Sequence, residues 1–200
     1  MTYKTWMICS LLLVMAFGGC GPSLNTKEEM IAFVTKPQNG LTKTVQDEVL
    51  EVSTTIYPTA LLLKTDTGAA KNDYENSLTF VVKIKPRHQT GGDFLIESAS
   101  SYDDYKKIIE MLNFSPEVFF QLEIGTDGPV KPVLATLENA FESSDSKKLF
   151  ITFPVSVQQL LAKPNDRLKI RFGNLFVGRA DNVFEFEVQD LLQFEQQANK

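Results

Sequence analysis

The chain has 200 residues and a net charge of −5, because 25 Asp and Glu outnumber 20 Lys and Arg. An acidic chain has no general attraction for phosphate backbones, so we expect no nucleic-acid partner. One histidine and two cysteines are too few for the usual zinc sites, so we expect no metal. The length suffices for one ordinary domain with a substantial hydrophobic core.

The N-terminal segment has the layout of a secretory signal. Lys4 is the only charged residue before Lys27, and residues 6–17 form a largely apolar run that ends in small residues. A membrane-spanning helix needs roughly 20 apolar residues, and this run is shorter. We therefore predict a signal peptide over residues 1–19 rather than a permanent transmembrane anchor.

The apolar run ends in Phe17-Gly18-Gly19-Cys20. This stretch resembles a bacterial lipobox, with Phe17 at the position where leucine is most common. The resemblance implies that the Cys20 thiol receives a diacylglyceryl group and that cleavage falls between Gly19 and Cys20. The freed amine of Cys20 would then carry an acyl chain such as palmitate. The alternative is an ordinary signal peptide followed by an incidental cysteine.

A lipidated Cys20 would determine where the protein resides. Two or more acyl chains hold a protein stably on a membrane, whereas one chain does so only marginally. The resemblance therefore implies a lipid anchor in the cell envelope, with the outer membrane as the expected address and a periplasmic or surface-facing domain. Apart from this covalent lipid we expect no cofactor.

Processing would change the charge and the thiol content of the chain. Loss of residues 1–19 removes Lys4 and no acid, so the net charge of −5 becomes −6. Cys9 leaves with the signal, and a lipidated Cys20 leaves no thiol for a disulfide. We predict a tether over residues 20–25 and one β-rich domain over residues 26–200.

Two segments carry clear helix signals. Thr26-Lys27-Glu28-Glu29 has the spacing of a capping box, which predicts a helix over residues 27–35. Ser101 and Asp104 have the same spacing, and the apolar positions that follow are separated by three, four and three residues. These positions are Tyr102, Tyr105, Ile109 and Leu112.

Alternation of apolar and polar residues dominates the rest of the chain. It predicts strands over 50–56, 77–85, 118–124, 168–172 and 184–188, a strand pair over 132–141 and 147–153, and a brief strand over 94–97. Residues 60–63 continue as an apolar run after Tyr57-Pro58, residues 155–163 suggest a short helical turn, and a short helix is predicted from Asp190 onward.

The strands each have one polar face, which argues for antiparallel pairing. Two such sheets packed face to face bury all the apolar rows. The predicted fold class is therefore mainly β: an antiparallel β-sandwich-like domain with one or two short helices.

Four stretches in order show a second resemblance. They are Thr35-Lys36-Pro37, Asn39-Gly40-Leu41, Tyr57-Pro58-Thr59, and Pro132-Val133-Leu134 with Leu137-Glu138-Asn139. Their order is similar to that in a set of uncharacterised Bacteroidota lipoproteins. The resemblance implies a cell-envelope address and adds no activity and no catalytic residue.

Residue sets that could carry catalysis are sparse. His88 is the only histidine and lies in the polar segment 86–93, and no Gly-x-Ser-x-Gly elbow accompanies it. The acidic pairs Glu28-Glu29 and Asp103-Asp104 fall in predicted first turns of helices, where negative charge is favoured. Asp47-Glu48 is a third pair, and a glycosidase would need two such carboxylates. We predict no enzymatic activity and no catalytic residue.

Basic side chains alternate along one predicted strand. Arg167, Lys169 and Arg171 would lie opposite Glu185 and Glu187 if their strands pair, forming a cross-strand ladder of ion pairs. The alternative is contact with anionic lipid headgroups or glycans.

The sequence thus predicts a lipid-anchored envelope protein with a binding or assembly role, whose partners are the membrane and an envelope protein. One alternative is an accessory subunit of an outer-membrane complex, which an exposed apolar patch or bare sheet edge would favour. Another is a carbohydrate-binding or carbohydrate-processing module, which an exposed aromatic row or two carboxylates in one cleft would favour. Trp6, the only tryptophan, lies in the predicted signal peptide.

Overall fold

The computed structural model describes residues 24–48, 50–65, 75–88, 99–138, 146–173 and 182–199. The predicted signal peptide, Cys20 and the brief strand predicted over 94–97 lie outside the described residues.

The described residues form five α-helices, and the helical turn predicted over 155–163 and the helix predicted from Asp190 onward are among them. In chain order they are α1 (Lys27–Val34), α2 (Thr59–Thr65), α3 (Tyr102–Phe114), α4 (Val157–Leu161) and α5 (Val188–Ala198). Short 3-10 helices cover Pro37–Asn39 and Pro116–Val118.

Side-chain caps begin the predicted helices where expected. The capping box at α1 is complete, because the Thr26 hydroxyl accepts from the Glu29 backbone N–H and the Glu29 carboxylate accepts from the Thr26 N–H. The Ser101 hydroxyl caps α3 by accepting from the Asp104 N–H at 3.1 Å. A capping box at Ser156 and Gln159, which begins α4, was not predicted.

Helix α2 replaces the apolar run that was expected to continue beyond Tyr57. Proline has no backbone N–H for a sheet ladder, so Pro58 ends the strand. Its carbonyl instead accepts hydrogen bonds from the backbone N–H groups of Leu61 and Leu62, which starts a helical turn.

Eight strands occur within the described residues. They are β1 (Thr42–Gln46), β2 (Leu50–Tyr57), β3 (Leu78–Pro86), β4 (Phe120–Ile124), β5 (Leu134–Leu137), β6 (Lys147–Phe153), β7 (Arg167–Phe172) and β8 (Asn182–Glu187). Strand β4 begins later than predicted, because Val118 belongs to a 3-10 helix. Strand β5 is shorter than the predicted 132–141, of which residues 139–141 lie outside the described residues. Strand β1 was not predicted.

The strands form two antiparallel sheets, which confirms the predicted fold class. The larger sheet has the order β1-β2-β3-β6-β5, and the smaller has the order β4-β7-β8. In the larger sheet Phe80 is paired with Ile56 on one side and Ile151 on the other, and all three side chains are buried. In the smaller sheet Ile170 is paired with Leu122 and Phe184, which are buried as well.

Phenylalanine side chains join the buried faces of the two sheets. The ring of Phe80 lies 5.8 Å from that of Phe153 within its own sheet and 5.8 Å from that of Phe186 in the other. The three residues belong to one core cluster together with side chains of α1 and α5. The domain therefore has a single core between the sheets.

The core extends into the predicted tether. Leu24 is buried, and its backbone N–H donates to the Gln197 carbonyl near the end of α5. Leu24 of the predicted tether thus packs against the domain near the end of α5.

The structure confirms the predicted ladder of ion pairs on the smaller sheet. Lys169 is paired in register with Glu185, and their charged groups are 3.3 Å apart. Arg167 reaches Glu187 at 2.9 Å and Glu185 at 3.5 Å. Arg171 lies opposite Val183 in β8 and instead contacts Glu123 of β4 at 4.0 Å.

Charge reversal at Glu185 tests the ladder, since this residue contacts two cations. Exposed ion pairs contribute about 0.2–1 kcal/mol each, so Glu185→Lys is expected to lower the free energy of unfolding by about 1 kcal/mol. Urea denaturation measures the loss, which should shrink in 1 M salt because the Debye length falls to about 3 Å. Glu110→Lys, on exposed helix surface of α3, is the control with the same charge change. An equal loss in both variants would contradict the ladder.

Candidate functional site

The structure places the candidate residues of the sequence apart from one another. His88 is exposed two residues after the end of β3. Glu28-Glu29 and Asp103-Asp104 lie in the first turns of α1 and α3, as predicted for acids that stabilise the N-terminal ends of helices. Asp47 turns the chain between β1 and β2, where its carboxylate accepts from the Leu50 N–H at 2.7 Å. None of these residues forms a shared site.

No group of three or more His, Cys, Asp or Glu side chains in the described part of the chain is arranged to hold a metal ion.

No helix in the described ranges has both the length and the apolar character needed to cross a bilayer.

A groove of about 660 Å³ lies where three helices meet at one side of the core. Its walls are formed by α2, α4 and α5, and residues 75 and 76 border it before β3. The groove is within the usual size range for small-molecule sites, roughly 300–1,000 Å³. It is therefore the candidate functional site.

The groove is lined by aliphatic, amide, hydroxyl and acidic groups. Its aliphatic side chains are Ala60, Leu63, Val157, Leu161 and Leu192. Its polar side chains are Thr59, Ser156, Asn76, Gln158, Gln196 and Asn199, and its acids are Glu75 and Glu195. None of the described lining residues is basic or aromatic.

Glu195 is the unusual member of this lining. Only 9% of the residue is exposed, although it carries a carboxylate. Backbone N–H groups of Thr59 and Ala60, at the start of α2, donate hydrogen bonds to this carboxylate. Its Oε1 has no hydrogen-bond partner among the described residues. Desolvation by burial raises the pKa of Glu195, and the two backbone hydrogen bonds act in the opposite direction.

The sequence contains a pattern that marks Glu195 as unusual, although it was not among the predicted site residues. The apolar face of α5 is formed by Val188, Leu191 and Leu192, which follow one another by three and one residues. Glu195 lies three residues after Leu192 and four after Leu191, so it belongs to the same face. A charged residue on the core-facing side of an amphipathic helix indicates a partner or a site.

A second acid with a raised pKa, the partly exposed Asp190, lies at the start of α5. Desolvation raises the pKa of Asp190, Lys43 lowers it, and Glu187 adds to the increase. Gly40 has a φ of +78°, and a Cβ at this position would overlap the Asp190 carboxylate. The predicted Asn39-Gly40 turn therefore needs glycine both for its backbone conformation and for this close approach.

Aromatic side chains form pairs outside the groove. Tyr57 and Phe150 meet edge to face at 6.4 Å on the outer face of the larger sheet, and both are only partly exposed. Tyr102 and Tyr105 lie 6.2 Å apart at the start of α3. Among the described residues, these are the two pairs in which both rings are at least partly exposed, and they are separate from each other rather than part of an extended exposed row.

Comparisons with known proteins give distant fold likenesses. The chain matches no protein-family model and no curated protein. A protein of unknown function from Burkholderia pseudomallei is 10% identical, with a TM-score of 0.40 over 86% of this chain and 91% of that chain. A DUF4426 family protein from Pseudomonas aeruginosa PAO1 is 9% identical, with a TM-score of 0.33 over 73% of this chain and 91% of that chain.

The burial of Glu195 makes a prediction about stability and pH. Because its pKa is higher in the folded state, the folded protein holds this proton more tightly than the unfolded chain does. The resulting stability is fully present below the unfolded pKa of about 4.3 and is lost as pH rises through the folded pKa. Glu195→Gln does not titrate, so its melting temperature relative to wild type should rise as pH increases from about 4 to neutral.

The control for this measurement is Glu110→Gln, which removes the same charge from an exposed position of α3. Melting temperatures are compared with wild type across the pH range by circular dichroism. A relative melting temperature of Glu195→Gln that stays flat, or that changes no more than the control, would show that the buried carboxyl is not destabilising at neutral pH.

Proposed function

We propose that this protein is a lipid-anchored protein of the cell envelope that binds a small ligand in the groove between α2, α4 and α5. The anchor is the diacylglyceryl and acyl lipid on Cys20, and it attaches the protein to the outer membrane. The role is non-enzymatic. The observation that carries the binding role is the groove itself, which combines aliphatic walls with hydroxyl and amide groups.

The arrangement of groups in the groove supports binding rather than catalysis. Hydrolysis of glycosides would need two carboxylates that both reach the substrate. Glu195 instead accepts backbone hydrogen bonds from the start of α2, and its Oε1 is shielded from solvent. This carboxylate therefore connects α5 to α2, and Glu75 is the exposed acid among the described lining residues.

The carbohydrate alternative has weaker support. Sugars commonly stack their apolar faces on aromatic rings, and the described lining of the groove contains none. The two acids in one cleft are the feature that favours this alternative, and the engagement of Glu195 by backbone N–H groups counts against it.

Exposed apolar side chains favour the accessory-subunit alternative. Phe114, at the end of α3, is 83% exposed, and Val118, Val133 and Leu134 are exposed as well. Helix α3 packs against β5 and against the Pro116–Val118 helix, so Phe114, Val118 and Leu134 lie on elements that contact one another. Exposed apolar groups that lie close together are typical of protein contacts. An envelope protein is accordingly the second candidate partner.

Substitution of Cys20 tests the anchor. Cys20→Ala removes the thiol that would carry the diacylglyceryl group, so we expect loss of labelling by radioactive palmitate and release from the membrane fraction. Cys9→Ala, in the apolar run of the predicted signal, is the matched control and should be labelled and retained. The anchor is excluded if the Cys20→Ala protein is processed normally and stays with the membrane.

Obstruction of the groove tests the binding role. Leu161 lines the groove and is 47% exposed, so Leu161→Trp fills space there without overpacking the core. A small-molecule extract of the cell envelope is expected to raise the melting temperature of wild type and not of Leu161→Trp. Val183→Trp, at a comparably exposed position of β8, is the control and should respond like wild type. An extract that stabilises both variants equally would place binding outside the groove.

A further inference from the structure

The chain is fixed to the domain a few residues after the proposed lipid. Leu24 is buried, and its backbone N–H donates to the Gln197 carbonyl at 3.4 Å. The N–H of Asn25 donates to the Glu29 carboxylate of α1 at 2.9 Å. Leu24 is the fourth residue after Cys20, and a fully extended chain spans about 3.6 Å per residue. A lipid on Cys20 therefore keeps Leu24 within about 14 Å of the acylated residue, whatever path the chain takes between them.

The end of α5 that holds Leu24 lies at one end of the larger sheet. Glu195, two residues before Gln197, accepts hydrogen bonds from the backbone N–H groups of Thr59 and Ala60. These two residues follow Tyr57, where β2 ends. Tyr57 belongs to a row across the sheet, which we call the anchor end and which consists of Tyr57, Thr79, Thr152 and Leu134.

The opposite end of the larger sheet lies beyond the reach of the tether. Its row, which we call the far end, consists of Gln46, Glu51 and Lys85. Glu51 and Tyr57 are six residues apart on β2, and a strand rises about 3.4 Å per residue, so about 20 Å separates the two rows. The far end can therefore approach a membrane only if the whole domain lies on its side.

The side chains exposed at the anchor end suit a lipid–water boundary. The N–H of Val133 donates to the Thr152 carbonyl, and Val133 is 64% and its neighbour Leu134 52% exposed. The exposed side chains in the last turns of α5 are the uncharged amides of Gln193, Gln196 and Asn199. Exposed apolar groups are typical of membrane contacts as well as of protein contacts, and uncharged amides lose less by leaving water than ionised groups do.

We propose that the anchor end of the larger sheet faces the membrane and that its partner there is the phospholipid surface. This inference rests on the proposed lipid on Cys20 and names the part of the domain that the lipid brings to the bilayer. The far end points away from the membrane. The groove lies on the membrane side of the domain, because Asn199, directly after α5, is one of its lining residues.

Energy transfer from a dye on the protein to acceptor dyes on lipid headgroups tests which end is nearer the membrane. The full chain, purified as cells produce it, is labelled at one introduced cysteine and held in phosphatidylcholine nanodiscs. A lipidated Cys20 leaves no other thiol, since Cys9 lies in the predicted signal peptide. Gln193→Cys and Gln46→Cys are matched substitutions at exposed positions of α5 and of the far end. The dye on Gln193→Cys should lose more of its fluorescence than the dye on Gln46→Cys.

Two further variants test the contact made by the exposed apolar side chains. Val133→Asp and Val45→Asp are each combined with the labelled Gln193→Cys protein, and circular dichroism checks that both fold. Val133 is at the anchor end, whereas Val45 is 43% exposed next to Gln46. A carboxylate is costly to remove from water, so Val133→Asp is expected to reduce the energy transfer. Val45→Asp makes the same change at the far end and should leave the transfer unchanged.

The outcomes separate this inference from the proposed anchor. Transfer that is equal from the two dye positions, or greater from Gln46→Cys, would overturn the membrane-facing end. Equal effects of Val133→Asp and Val45→Asp would overturn it as well and would assign Val133 to a protein contact instead. In each of these cases the anchor still stands if Cys20→Ala releases the protein from the membrane fraction. The anchor itself fails only if the Cys20→Ala protein stays with the membrane.

Discussion

The packing of Phe80 between Phe153 and Phe186 is the contact on which the rest of the structure depends. Each sheet is amphipathic, and neither can bury its apolar face by itself. Aromatic pairs in edge-to-face or tilted arrangements contribute about 0.5–1.5 kcal/mol beyond the area that they bury. Because Phe80 belongs to the larger sheet and Phe186 to the smaller one, this cluster sets how the two faces meet.

The same core also determines the geometry of the groove. Helix α5 follows β8 without a loop, so the position of β8 in the sandwich determines where α5 begins. Val188, Leu191 and Phe194 then anchor the helix in the core, and Phe194 meets Phe33 of α1 at 5.5 Å. Glu195 follows directly and connects α5 to the start of α2. The α5 wall of the groove is therefore held in place by the core.

Charge is arranged differently on the ladder and in the groove. The cations of β7 lie beside Glu185, Glu187 and Glu123, so the stripe that looks basic in sequence is largely neutralised at the surface. This pairing weakens the alternative of contact with anionic headgroups. In the groove, the described lining has two acids, Glu75 and Glu195, of which Glu195 is buried.

The sequence by itself determined the elements whose signals are local. Alternation along Leu78–Pro86 and Arg167–Phe172, and the capping boxes at Thr26 and Ser101, predicted strands and helices that the structure contains. Strand β1, Thr42–Gln46, has no such alternation and exists because β2 offers it a free edge. Helix α2 likewise has no purely local cause. Pro58 ends strand β2 because it has no N–H for the hydrogen bonds of the sheet, and those hydrogen bonds exist only once the sheet has formed.

The groove could not be read from the chain, because its walls are separated by about a hundred residues between α2 and α4. Only tertiary packing brings Leu63, Leu161 and Glu195 to one place. The periodicity of apolar residues in the sequence indicates which face of a helix or strand is apolar, but it does not indicate which helices and strands pack against one another. The proposed lipobox at Cys20 is the opposite case, since a processing enzyme would recognise such a signal as a linear segment, and the argument for it rests wholly on the sequence.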